Sequence, residues 1–207
     1  MKRIQKKAFL LFTLMVLALA TLITGCGKDE KKTAESWAYN FDDTTEVLRL
    51  NSDGSAFFLA KEYENGRQIK KEKNFSSYIK DDTYITMKNS DGSELKLRYM
   101  RTDEGMNIYE KSIYRYSSNN VTEQNGVSGI WVNPELDKYY FEFTSAGTFL
   151  EDGVFTGHYE VNESEGTIRL KYNDPVPDTV FYYEINGDTM SVEYPWQMVP
   201  TAKPVDR

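Results

Sequence analysis

From Trp37 to Pro200, apolar and polar residues alternate over short runs, and no run holds a helical period for long. Alternation over about four to eight residues between turn-forming clusters is the pattern of strands with one buried face. In EVLRL, Val47 and Arg49 alternate with Leu48 and Leu50; NSDGS follows, then the aromatic run AFFLAKEY. Asp53-Gly54 supply residues tolerant of positive φ, so the pattern predicts a hairpin. The same five letters return at Asn89 to Ser93, between TYITMK and ELKLRYMR, and predict a second hairpin. Asn65-Gly66, Glu104-Gly105 and Asn186-Gly187-Asp188 mark further reversals. The expectation is an all-β chain of antiparallel strands in which helix is the exception, with about five or six strands in each half.

One stretch departs from this rhythm. Lys2, Arg3, Lys6 and Lys7 precede a weakly polar to apolar run from Ala8 to Ile23, which ends at Thr24, Gly25 and Cys26. A membrane-crossing helix needs roughly 20 apolar residues, and this run is shorter. Charge, a short apolar core and small residues in that order are the layout of a secretory leader. Ile23-Thr24-Gly25-Cys26 resembles the lipobox of bacterial lipoproteins. The resemblance implies that residues 1–25 are a lipoprotein signal peptide, that Cys26 becomes the new N-terminus, and that its sulfur carries a diacylglyceryl group. Two acyl chains hold a protein on a bilayer where one does not. The polar segment 26–36 then reads as a tether.

Cys26 is the only cysteine, so no intramolecular disulfide supports the fold. The net charge is −7 at pH 7, and removal of the four basic leader residues makes the remainder more acidic. Nucleic-acid binders carry basic surfaces that displace phosphate counterions. The most basic run, Lys70-Lys71-Glu72-Lys73, is interrupted, so no nucleic-acid partner is expected.

A faint internal repeat organises the strands. Trp37 precedes Gly54 much as Trp131 precedes Gly147, and Phe57 or Phe149 follows each glycine. Tyr99 leads Met106 by the same interval as Tyr183 leads Met190. The division this suggests is a first β repeat at 37–117, a polar linker at 118–128, a second repeat at 129–200 and a tail at 201–207. The tail region from Pro195 onward is proline-bearing and expected to be irregular. Gly129-Ile130-Trp131, FEFTSAGTF, GHYEV, TIRLKY and FYYEINGDTMSV resemble small lipocalin-like domains found in bacterial lipoproteins. The resemblance implies an antiparallel meander forming a lipocalin-like barrel or half-barrels, in two weakly repeated halves.

Candidate chemistry is sparse. NSDGS has its glycine in the wrong place for an EF-hand loop, and a turn explains it without an ion. His158, the lone histidine, lies in a predicted strand, and one His with one Cys cannot form a zinc site. Asp42-Asp43, Asp81-Asp82 and Glu151-Asp152 could in principle serve a glycosidase, but adjacent strand residues point to opposite faces, and each pair adjoins a turn where acids meet solvent. No catalytic residue, cofactor or metal is expected. Aromatics make up 14% of the chain, and Tyr and Trp line sugar and lipid sites as readily as they fill small β cores. Trp37 and Trp131 read as core anchors and Trp196 as an exposed contact, while Tyr182 lines a cavity or meets the other half.

The resulting functional expectation is a lipid-anchored, extracytoplasmic, non-catalytic binding module for a small apolar or carbohydrate ligand. The rival is a structural or protein-interaction lipoprotein that meets an envelope protein through a strand edge or the Trp196 tail. A hydrolase is third.

Overall fold

The computed structural model describes residues 33–41, 44–64, 67–117 and 126–201. The leader, Cys26, most of the tether, Asp42-Asp43, the Asn65-Gly66 turn, most of the linker and all but the first residue of the tail lie outside the described residues. Every described element is a strand, and every pairing is antiparallel. The first eight are β1 (Glu35–Phe41), β2 (Thr44–Leu50), β3 (Ala56–Glu64), β4 (Arg67–Phe75), β5 (Ser77–Lys80), β6 (Tyr84–Lys88), β7 (Glu94–Arg101) and β8 (Met106–Tyr116). The rest are β9 (Gly129–Val132), β10 (Tyr140–Phe143), β11 (Thr148–Glu151), β12 (Phe155–Asn162), β13 (Thr167–Tyr172), β14 (Thr179–Asn186) and β15 (Thr189–Pro200).

Successive strands from β8 to β15 pair in order, and β15 then pairs back onto β8 from Thr189↔Arg115 to Met198↔Met106. Eight strands thus close an antiparallel barrel, and closure removes the exposed edges that an open sheet would carry. β8 and β15 are long because each has a second task. The start of β8 pairs with β7 and its end with β9. β15 pairs with β14 through Glu193, then with β1 at Val199 and Pro200. The remaining strands run from β1 through β2 and β3 to β4 on one side, and from β7 through β6 to β5 on the other. They complete a second circuit, broken only where β4 meets β5 at Ser76.

Each circuit encloses its own apolar cluster. Trp37, Leu48, Leu50, Phe58, Ile85, Met106 and Met198 lie in the first; Trp131, Phe141, Phe143, Ile168, Phe181 and Met190 lie in the second. Both tryptophans expected as core anchors are buried. The alternation of the sequence does this directly, since inward positions fall at every second residue of a strand. Two other aromatics lie outside both clusters, and Tyr182 takes the second of its two expected places by meeting the other half. Phe57 is half-buried beneath Arg49, whose guanidinium carbon is 5.1 Å from the ring, and the inward positions after Gly54 belong to Ala56 and Phe58. Tyr182 lies 3.9 Å below Arg98 and edge-on to Tyr109 at 5.3 Å, so it meets β7 and β8.

The NSDGS turns have the hydrogen bonds of hairpin loops. The Asn51 amide donates to Ser55 O, Gly54 donates back to Asn51 O, and Asp53 Oδ1 accepts from the Ser55 amide at 2.9 Å. Asn89, Asp91, Gly92 and Ser93 repeat the arrangement. Gly54 holds φ 90°, where a Cβ is strained. Gly54→Ala is expected to lower stability by about 1 kcal/mol, read as a shift in urea midpoint with unchanged slope.

The region from Pro195 onward corrects the sequence reading. It is not irregular: β15 continues through Pro195 to Pro200. Between Glu193, the last β15 residue paired with β14, and Val199, the first paired with β1, the outer edge of β15 has no described strand partner. A proline, lacking an amide hydrogen, is tolerated at such an edge.

Candidate functional site at the polar end of the closed barrel

The β11 sequence Thr148-Phe149-Leu150-Glu151 alternates so that Glu151 shares the inward face with Phe149. Its cross-strand neighbours are Phe141 on β10 and Phe155 on β12, so a carboxyl group is placed among rings. Only 9% of Glu151 remains exposed. Gly157 on β12 makes the arrangement fit: a Cβ there would lie 2.0 Å from Lys171 O and 2.8 Å from the Phe149 ring. With no side chain in the way, Phe149 stands edge-on to Tyr172 at 5.3 Å. Tyr172, the last residue of β13, donates its hydroxyl hydrogen to Glu151 Oε2 at 2.8 Å. The Tyr194 hydroxyl lies 3.4 Å from that of Tyr172. Tyr194 stacks on Phe181 in one core and touches Trp196 beside the other. Tyr114 from β8 packs on Phe141 at 5.2 Å.

Burial pushes the Glu151 carboxyl up to about 7; hydrogen bonds from Tyr172 and Tyr194 pull it back, and the neighbouring charge of Asp152 adds to the rise. Burial, with the Glu151 charge, pushes the Tyr172 phenol up to about 12. Tyr194 and Tyr114 are raised as well, first by burial and then by Glu151 and Asp152 respectively. These phenols stay neutral donors near neutral pH while Glu151 exchanges its proton there. The cluster can therefore accept or donate hydrogen bonds at the end of an aromatic interior.

The loops at this end of the barrel expose apolar residues among polar ones. Val154 and Phe155 follow the β11–β12 turn and Val176 lies in the β13–β14 loop, exposed to 70%, 39% and 40%. The Asn173 amide donates to Thr156 O at 2.9 Å, and its side chain donates to Thr156 Oγ1 at 3.1 Å, so the β13–β14 loop is tied to the start of β12. Asp152 takes a positive φ of 54° to turn the chain, and its Oδ1 accepts from the Tyr140 amide at 2.9 Å. Exposed apolar residues beside a polar cluster are how a fold presents a contact for a partly apolar ligand.

Sequence reasoning set Glu151-Asp152 at the surface, and the structure corrects this: Glu151 is buried and Asp152 half-buried. The alternation with Phe149 was the available signal. Asp81 is exposed and accepts from the Thr83 and Tyr84 amides, as a turn cap does. His158 is exposed on β12, opposite Thr148 and Lys171. Trp196 is half-buried rather than an exposed contact, with its ring 5.2 Å from Tyr39, because the tail is a strand. Cys26 lies outside the described residues. Among the described residues no group of three or more His, Cys, Asp or Glu side chains is placed to hold a metal.

Residues 104–192 match the family model of the lipocalin-like domain. The match begins just before β8 and ends within β15 at residue 192, so it covers the barrel strands up to that point, and this part of the chain is lipocalin-like in sequence as in topology. No curated protein and no solved structure matches the chain.

Proposed function

We propose that the protein is a lipid-anchored, extracytoplasmic binding module without catalytic activity, and that its ligand meets the rim of the lipocalin-like barrel. The observation that carries this reading is that exposed Val154, Phe155 and Val176 share one end of the barrel with the Glu151–Tyr172–Tyr194 cluster, Phe155 lying 6.0 Å from Tyr172. Lipocalin-like folds serve binding, and a small amphiphile suits the arrangement: an apolar body on the rim, and a hydroxyl, amide or sugar edge at the carboxyl and phenols. Large aromatic side chains fill the barrel behind the cluster, so the ligand sits at the mouth.

Incubation of purified protein with extracted envelope lipids and glycans, followed by native mass spectrometry, tests this. Retained mass is expected, with at least tenfold weaker retention for Phe155→Ala. No retention, or retention indifferent to Phe155, would remove the ligand reading and leave the protein-interaction role.

The anchor is part of the same proposal and rests on the leader pattern ending at Cys26. Cys26→Ser is expected to abolish incorporation of labelled palmitate and to release the protein from the membrane fraction. Continued labelling of the variant would refute it.

A further inference from the structure

The described strand order ends at β4 on one side and at β5 on the other, and β4 is the longer of the two. β4 pairs with β3 from Glu64↔Arg67 to Ala56↔Phe75, and no described strand pairs with its other side. Ser76 interrupts the run between β4 and β5, and only β5 lies against β6. Ser76 fastens the junction, donating its amide to Asn89 Oδ1 at 3.3 Å and its hydroxyl to Lys88 O at 3.0 Å. Below it the strands separate into a cleft of about 440 Å³, lined by Glu72 to Phe75 on β4 and by Asn89 and Ser93 to Leu95 opposite.

The register of β4 says which backbone groups face the opening. A two-residue loop joins Glu64 to Arg67, so that pair exchanges hydrogen bonds and the exchange recurs at every second pair: Ile69, Lys71, Lys73 and Phe75 bond to β3. The amides and carbonyls of Gln68, Lys70, Glu72 and Asn74 therefore point into the open side. The side chains of Lys70, Glu72 and Asn74 there are exposed.

We propose that this edge pairs with the β4 edge of a second copy of the chain, antiparallel and centred on Lys71. In that register Lys70 of each copy faces Glu72 of the other, twice over, and Gln68 is opposite Asn74 at each end. Lone charges on an edge normally block such pairing, but a lysine and an acid two positions apart make the edge complementary to itself in this one alignment. The cleft beside Asn74 leaves room for the incoming strand, and by symmetry it does so at both ends. Two Lys71 residues meet near the axis and limit the strength of the pairing. The association is accordingly reversible.

Sedimentation of detergent-solubilised full-length protein over a concentration series tests this. A monomer–dimer equilibrium is expected, with slower hydrogen exchange at Lys70, Glu72 and Asn74 as dimer forms. Lys70→Glu sets like charges opposite each other and is expected to weaken dimerisation at least about tenfold. The double exchange Lys70→Glu with Glu72→Lys recreates the complementary pairs and is expected to return affinity to within about threefold of the original. Lys70→Pro removes an outward amide but no bond to β3, and is expected to abolish the dimer while thermal unfolding stays cooperative. A protein monomeric up to about 100 µM, a dimer indifferent to Lys70→Pro, or a double exchange no better than Lys70→Glu would each overturn the proposal.

Discussion

Trp131→Ala is expected to lower the unfolding free energy by about 3–5 kcal/mol, the range for truncating a large buried aromatic. Trp131 is fully buried, sits edge-on to Tyr116 at 5.5 Å, and donates its indole hydrogen to Val127 O at 2.8 Å. Its β-ladder neighbours are Phe141 on one side and Tyr116 on the other, so the hole would open where β8, β9 and β10 meet. Trp131→Phe separates the contributions. It keeps most of the apolar contact and deprives a buried carbonyl of its donor, which costs about 1–2 kcal/mol. Guanidinium unfolding followed by circular dichroism reads both variants. A Trp131→Ala loss below about 1 kcal/mol would mean that the second cluster does not hold the barrel closed.

The second large effect is a pH dependence centred on Glu151. Its carboxyl rises from an ordinary 4.5 to about 7 on folding, so the folded state prefers the protonated form. The contribution is fully present below about pH 4.5 and is lost as pH rises through 7, and its size is roughly 3 kcal/mol. Glu151→Gln keeps a neutral group that can accept from Tyr172 and removes the titration. The stability of the native protein relative to this variant is therefore expected to fall by roughly 2–3 kcal/mol between pH 4.5 and pH 8. Urea titrations at several pH values measure the difference directly. Parallel curves across that range would show that Glu151 is ionised or solvated in the folded protein.

The strands were legible because their period was, and the barrel's signature was legible in Gly129-Ile130-Trp131. The structure supplies the reason for that glycine: a Cβ on Gly129 would lie 2.4 Å from the Tyr116 ring, and φ is 135°. The turn glycines follow the same logic. What alternation could not supply was neighbour choice. Nothing in TMSVEYPWQMVP says that β15 changes partners near Pro195, because each partner lies far away in sequence and the strand looks the same to both. The polar cluster was missed for a related reason. An acid beside a turn is usually solvated, and only the cross-strand register shows Glu151 between Phe141 and Phe155. The open edge of β4 was hidden because residues 67–80 read as one run, whereas β4 pairs with β3 and β5, beyond Ser76, pairs with β6.

The sharing of β8 and β15 between two circuits governs when the chain can fold. β15 is the last strand, yet both circuits require it: one needs its pairing with β14, the other its pairing with β1. A nascent chain lacking residues 189–200 has two cylinders, each short of a stave, and neither can shut. Closure of the barrel therefore waits on residues 189–200, the last described strand.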